Sequence, residues 1–493
     1  MRTQPLLIAT TGLALLTPMP AAAQGYRLRF DARAQAISYR ALEPDSVPIG
    51  EVSPGPNGGP QTADGFAVRC GGSYCYFFRP GADLRAIPVT TSASLVLWGL
   101  GVPGLSVHAA TRVVAQAGDA GSWPGTDPSV QLLEGYAQYE RDWLTGRGGR
   151  LLVTSRLEPI GFDGVWARAR WASARLDFAA YGGWGLGQAT VVPVANPALN
   201  PLDEWRPRDR QLVAGAEVAW APGPADVRAE YRREVDPETD YFVSERASLS
   251  VATHLWHALR ATGGLDYNLA EGHLGSADLS ATYMGPFWSA TVGGRRYHPY
   301  FSLWTLWGAF SPVPYHALHG SAQVHLGDRV RLSARAERYW YEDTETSTAL
   351  VRVEDRGWRA SLGATGAIST RVTVDAGYFA EFGPGAAARG ADLEVRFEPV
   401  GHLALTAYGG ALERPLELRF YEANTRWIGG RVEWRASDEW RFWGDGAWVD
   451  DSRDRPDPAA NSVTQVRLRA GATVILGSGA DRRALPPARR RDP

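Results

Sequence analysis

The chain has 493 residues, 51 basic and 53 acidic, a formal net charge of −2, and 44% hydrophobic residues. A charge so near zero leaves no electrostatic footprint for a nucleic acid. Glycine is abundant at 55 residues, and mean hydropathy is slightly negative at −0.24; this fits a wall with one polar and one apolar face better than a bundle of greasy helices.

Met1–Ala23 has the form of a secretory leader: Arg2, then the apolar run Leu6–Leu16, then Ala21-Ala22-Ala23 as a cleavage site before Gln24. That run is shorter than the roughly 20 residues of a spanning helix. Beyond it, the best apolar candidate, Ser94–Ala110, is broken by Gly99, Gly101, Pro103 and Gly104, so no membrane helix is expected. From Tyr26 the polarity alternates with period two. Leu28, Phe30, Ala32 and Ala34 oppose Arg27, Arg29, Asp31 and Arg33, which predicts a first strand over Tyr26–Leu42.

Glu43–Ser92 interrupts the pattern. It is long, rich in Pro and Gly, and holds Cys70 and Cys75, the two cysteines of the chain. In an oxidising compartment these are expected to form a small-loop disulfide; as a metal site, two thiols with no His pair nearby are half of what zinc needs. The segment is open to three readings: a stapled outer loop, a piece folded into a lumen, or an extra hairpin.

Alternation then recurs almost to the end. In 329–340, Arg329, Arg331, Ser333, Arg335 and Glu337 separate from Val330, Leu332, Ala334 and Ala336. Leu393, Val395 and Phe397 separate from Asp392, Glu394, Arg396 and Glu398; Val432 and Trp434 separate from Arg431, Glu433 and Arg435. As helices these segments would scatter charge around the axis. Aromatics gather at expected strand ends (Trp143, Trp220, Tyr231, Trp256, Trp288, Trp340, Trp358, Trp440), as interfacial girdles require. Connections tend to alternate short, as at Gly146–Gly149, Gly285-Pro286 and Gly327-Asp328, with longer, as at Glu158–Gly164, Gln188–Arg208 and Tyr297–Tyr315. The last strand is predicted over Val463–Leu476, and the Arg-rich tail 477–493 is expected to be disordered.

The expected fold is all-β: a closed antiparallel up-and-down transmembrane barrel over 24–476, of about 22 strands within a range of about 18–24, since tilted strands need roughly 9–11 residues each. Residues 1–23 are the leader, and 43–92 a long loop or lumen segment. The expected place is the cell outer membrane of a Gram-negative-type bacterium, with both termini periplasmic. So wide a barrel is usually obstructed, and 43–92 or the aromatic stretch 297–315 is expected either to narrow the bore or to lie on the surface.

Projecting the polar faces inward gives a basic arc: Arg27, Arg29, Arg33, Arg168, Arg170, Arg329, Arg331, Arg335, Arg359, Arg371, Arg431, Arg435, Arg467 and Arg469. Every basic residue is arginine, a planar donor suited to carboxylates. Asp392, Glu394 and Glu398 form an acidic wall, expected to face the arc and set a transverse field favouring polar solutes. The alternative is that these charges pair across strands and merely keep a wet lumen stiff.

Catalytic signals are poor: no His-Glu-x-x-His, no phosphate loop, no Gly-x-Ser-x-Gly and no Cys-x-x-Cys-His. No cofactor and no metal are expected. The alternating strands, the leader and the stretches 161–168 (Gly-Phe-Asp-Gly-Val-Trp-Ala-Arg) and 180–183 (Ala-Tyr-Gly-Gly) resemble outer-membrane porin-type barrels, including the alginate-export type. The resemblance implies conduction of an anionic polysaccharide or a similar solute along an Arg-rich lumen. It also implies outer-membrane lipid and the barrel-insertion machinery as partners. The chain departs from many such barrels in ending its last strand at Leu476 without a terminal aromatic. Three functions are weighed: a pore for small polar or anionic solutes, saccharides among them; the structural sleeve of a multi-protein conduit or secretion complex; and an outer-membrane hydrolase, which would need a nucleophile and a His near the outer rim. A plug-bearing receptor is not expected, and the sequence leaves the oligomeric state open.

Overall fold

A computed structural model describes residues 25–55, 59–119, 129–186, 207–237, 241–298, 314–342, 355–383, 386–416, 423–453 and 462–478. The expected leader, the tail beyond Ser478 and the stretch 299–313 lie outside these residues. A long first strand, β1 (Gly25–Pro48), is followed by short strands β2 (Ser53–Pro54), β3 (Pro60–Gln61) and β4 (Arg69–Gly71), then by β5 (Tyr74–Ala86) and β6 (Pro88–Trp98). Next come β7 (Leu105–Gln116), β8 (Val130–Arg141), β9 (Leu144–Val153), β10 (Ile160–Trp171), β11 (Leu176–Leu186), β12 (Pro207–Trp220), β13 (Ala225–Asp236) and β14 (Tyr241–Trp256). They continue through β15 (Leu259–Asn268), β16 (His273–Met284), β17 (Trp288–Tyr297), β18 (Tyr315–Leu326), β19 (Val330–Tyr341) and β20 (Arg356–Ser369). The last are β21 (Val372–Gly383), β22 (Ala386–Val400), β23 (Leu403–Leu416), β24 (Ala423–Arg435), β25 (Trp440–Arg453) and β26 (Val463–Gly477).

β1 and β6 to β26 pair antiparallel, each with its sequence neighbour, and β1 closes the ring against β26, giving a 22-stranded barrel with no free edge in the wall. The closing register runs from Arg27↔Gly477 to Ala36↔Leu468. Glycine is required at the short turn Gly327 (φ +63°), a left-handed backbone that L side chains avoid. The run Gly146–Gly149, expected as a turn, lies instead within β9, where Gly149 sits across from Tyr136 and Gly148 across from Val165. At Gly149 (φ +133°) a side chain would run into the backbone of Gly135 and Tyr136 on β8, a close approach of strands that local turn chemistry does not distinguish.

Burial is inverted relative to a water-soluble protein. Val165, Leu279, Val292 and Ile428 are 64–67% exposed, whereas Arg232, Glu337 and Arg246 are 1–4% exposed. The register fixes the faces: Leu279 and its apolar equivalents look outward, and the alternate residues form the inner row, tied by Thr262–Ser280 and Thr282–Thr291 hydroxyl contacts of 2.9 Å. An apolar band around a closed wall with charges inside is what hydrocarbon demands, since the backbone is satisfied strand to strand. Most of the expected girdle aromatics do sit at strand ends, among them Trp220, Trp256, Trp288, Trp358 and Trp440, but Tyr231 lies mid-strand in β13, with its hydroxyl on Glu245.

Within Glu43–Ser92 the described residues form paired strands, as in the hairpin reading. β1 runs on past the barrel seam to Pro48 and pairs with β5, so the two make a ribbon whose tip carries β2, β3, β4 and the Cys70–Cys75 disulfide.

Candidate functional site

The site is the inner wall. Its densest part lies where the connection 154–159, between β9 and β10, turns inward. Arg156 reaches Asp278 on β16, six strands along the wall from β10, and approaches Asp266 at 4.0 Å. A segment touches strands so far apart on one face only by passing inside the curve. The Arg156 backbone N–H donates to Glu230 at 3.1 Å. Two guanidinium groups from the wall hold the same segment by its carbonyls: Arg246 donates to Leu157 O and Arg232 to Glu158 O, both at 2.9 Å. Leu157 is buried against them, and Glu158 adopts φ +76° just before Pro159. A non-glycine residue in that region costs about 1–3 kcal/mol and persists only where surroundings over-determine it. Burial pushes the Glu158 carboxyl above its ordinary range, against the pull of Arg246 and Arg232. Beside this segment lies a cavity of about 760 Å³ lined by Arg156, Arg170, Arg228, Glu230 and Asp278, among others.

A second cluster follows on β17 to β21. The Glu337 carboxylate accepts from Arg295 at 2.9 Å and from Arg359 at 2.6 Å, and Arg335 stands 3.8 Å away. Tyr315 and Tyr339 lie under Arg295 and Arg359 at 5.6 and 5.3 Å, so each cation is held by a carboxylate and a ring together. At the adjoining rim, just outside β19, Arg296 holds Glu342 at 2.7 Å and depresses that carboxyl, while His316 approaches at 2.9 Å.

The third region is the seam. Arg469 pairs with Asp445, Arg431 with Glu433, and Arg29 with Asp31. Arg27, Arg33, Arg435 and Arg467 have no ion pair within 4.0 Å among the described residues, and all four are on the inner face by register. They run as a stripe from Arg467, near the point where β1 parts from β26, to Arg27 at the opposite end of the seam.

The expected arc is therefore split. Arg168 and Arg170 lie inward on β10, with Arg170 on Asp177 at 3.3 Å; Arg331, Arg335 and Arg359 lie inward on β19 and β20. Arg329 and Arg371 fall in the turns before β19 and β21, at the rim and off the wall. Asp392, Glu394 and Glu398 share the inner face of β22, with Glu398 taken by Arg396 at 2.8 Å. Because β22 is only four strands from β26, the acidic wall flanks the basic seam and does not face it. Sequence reasoning did not single out Arg156, Arg232, Arg246 or Arg295. The alternation Arg228, Glu230, Arg232, Glu234 in β13 places Arg232 on the inner face, but nothing local shows that a distant connection folds onto it.

No family model and no curated protein matches the sequence. Among solved structures, OccK3 (OpdO) of Pseudomonas aeruginosa aligns over 93% of this chain and 97% of its own at 9% identity and a TM-score of 0.38. A BenF-like porin from Pseudomonas fluorescens Pf-5 aligns over 92% and 99% at 11% identity and 0.39, and the siderophore receptor PirA from Pseudomonas aeruginosa over 91% and 80% at 10% and 0.43.

Proposed function

We propose that the chain is an outer-membrane channel for small polar or anionic solutes, saccharides among them. The observation that carries this reading is the stripe Arg27, Arg33, Arg435 and Arg467, inward-facing guanidinium groups with no ion pair within 4.0 Å among the described residues, beside paired neighbours on the same seam. Unneutralised charge on a pore lining sets which ions enter. Paired neighbours such as Arg469–Asp445 keep the lining wet and rigid and contribute little selectivity. On this reading the termini are periplasmic, the chain folds through the barrel-insertion machinery, and the inward segment 154–159 narrows the bore.

Planar-bilayer recording tests the reading. Discrete conductance steps with an anion-shifted reversal potential are expected. The quadruple variant Arg27→Gln, Arg33→Gln, Arg435→Gln, Arg467→Gln should move that potential toward cations without abolishing the steps. A folded barrel that inserts but stays silent would instead favour a sleeve whose bore another chain fills.

A further inference from the structure

The ribbon beyond the seam has two unlike faces. Ile37–Pro48 of β1 pairs with Tyr74–Ala86 of β5. On one face the tip folds back, so that Phe66 packs on Phe77 at 5.4 Å, Cys75 is fully buried, and Arg79 pairs with Asp45. On the other face Tyr74, Tyr76 and Phe78 are 50–62% exposed, set across from Pro48, Ser46 and Pro44, also exposed, with no charged residue among these six. A two-stranded ribbon is marginal by itself, and three large rings in a row on its open side mark a surface that binds something.

The register says what that face continues. Arg40 pairs with Asp83 and Leu42 with Pro80, so Gly81 and Ala82 together oppose Ala41: the bulge is on β5, and the alternation of β1 runs on unbroken. Pro44, Ser46 and Pro48 therefore share the pleat face of Leu28 and Phe30, which in the barrel meets lipid. The aromatic face is continuous with the lipid-facing wall, and its neighbours are the lipids' own outer parts. Height decides which parts. From Ala36, where β26 pairing stops, to Pro44–Pro48 is about 26–40 Å of strand at about 3.3 Å per residue. At a tilt of about 45° that is roughly 19–28 Å of height. A phospholipid headgroup layer adds only about 5–8 Å per leaflet. With the hydrocarbon edge set at Ala36, the rings stand above that layer, at the level of sugars carried on glycolipids.

We propose that the Tyr74–Tyr76–Phe78 face binds the saccharide headgroups of outer-leaflet glycolipid, the flat rings stacking on the C–H faces of sugar rings and the two phenols meeting their hydroxyls. This rests on the outer-membrane placement above but not on conduction. The test uses the full, disulfide-bonded chain in phospholipid nanodiscs with and without lipopolysaccharide, read by hydroxyl-radical labelling of the three rings. Lipopolysaccharide should cut their labelling about tenfold, while phospholipid alone leaves it unchanged. The variant Tyr74→Ser, Tyr76→Ser, Phe78→Ser should retain about tenfold less lipopolysaccharide with channel conductance unaltered. Rings equally labelled in both discs, rings already shielded by phospholipid alone, or a variant that holds lipopolysaccharide as well as the parent would each overturn it. Loss of conductance in the parent would count against the channel and leave this result standing.

Discussion

Glu337 shows how this wall holds charge. Its carboxylate is almost fully covered, and Arg295 and Arg359 both end on it. Charged groups inside a protein are tolerated when partnered and costly when a partner is removed. Glu337→Gln should therefore destabilise the barrel by about 1–3 kcal/mol, as the remaining guanidinium groups are partly solvated. The check is the urea midpoint of folding in lipid vesicles; an unchanged midpoint would mean that water already serves both arginines. Glu158 behaves differently. Burial raises its carboxyl, so the docked segment binds the proton more tightly than the free one. Docking is then strengthened as pH falls toward the ordinary carboxylate value of 4.5 and weakened as pH rises through the raised one. Glu158→Gln should remove that dependence and quiet open-channel current noise at neutral pH, measured against the parent at neutral and at mildly acidic pH.

At the scale of elements, the inward segment is a short strap held by two carbonyls and one arginine. Replacing both holders, Arg232→Gln with Arg246→Gln, should free it and raise single-channel conductance; a conductance equal to the parent's would show that the strap does not limit the bore. The strands themselves were legible because each one meets two solvents. Leu393, Val395 and Phe397 against Asp392, Glu394 and Arg396 cannot be read as anything but a two-faced strand. The strap was not legible, since its partners on β13 to β16 lie about 70–120 residues away in sequence and no local pattern encodes that contact. The ribbon was legible only as one of three open readings, an extra hairpin: its prolines, glycines and cysteines speak for turns, and pairing with β1 is what identifies Tyr74–Ala86 as a strand. Even so, an outward position such as Leu279 makes a sharp prediction. Leu279→Arg should cost about 2–4 kcal/mol if the site is near the bilayer midplane, seen as poorer folding into vesicles.

For the molecule as a whole, closure explains both the count and the inversion. The 22-strand ring leaves no wall edge unpaired, and its circumference has enough inner surface to carry arginines and carboxylates in separate regions. The strand number was readable from turn spacing, but the angular relation between basic seam and acidic strand was not. That relation depends on how many strands complete the ring: four strands apart are neighbours in a barrel this wide. The central claim is that hydrocarbon meets one pleat face and water the other. Spin labels placed singly along β16 at Ala277, Asp278, Leu279, Ser280, Ala281 and Thr282, in reconstituted protein, test it most directly. Collision with oxygen, which partitions into lipid, should peak at 277, 279 and 281, and collision with a water-soluble nickel chelate at 278, 280 and 282. Equal access to both probes at every position, or water reaching the face of Leu279, would contradict it.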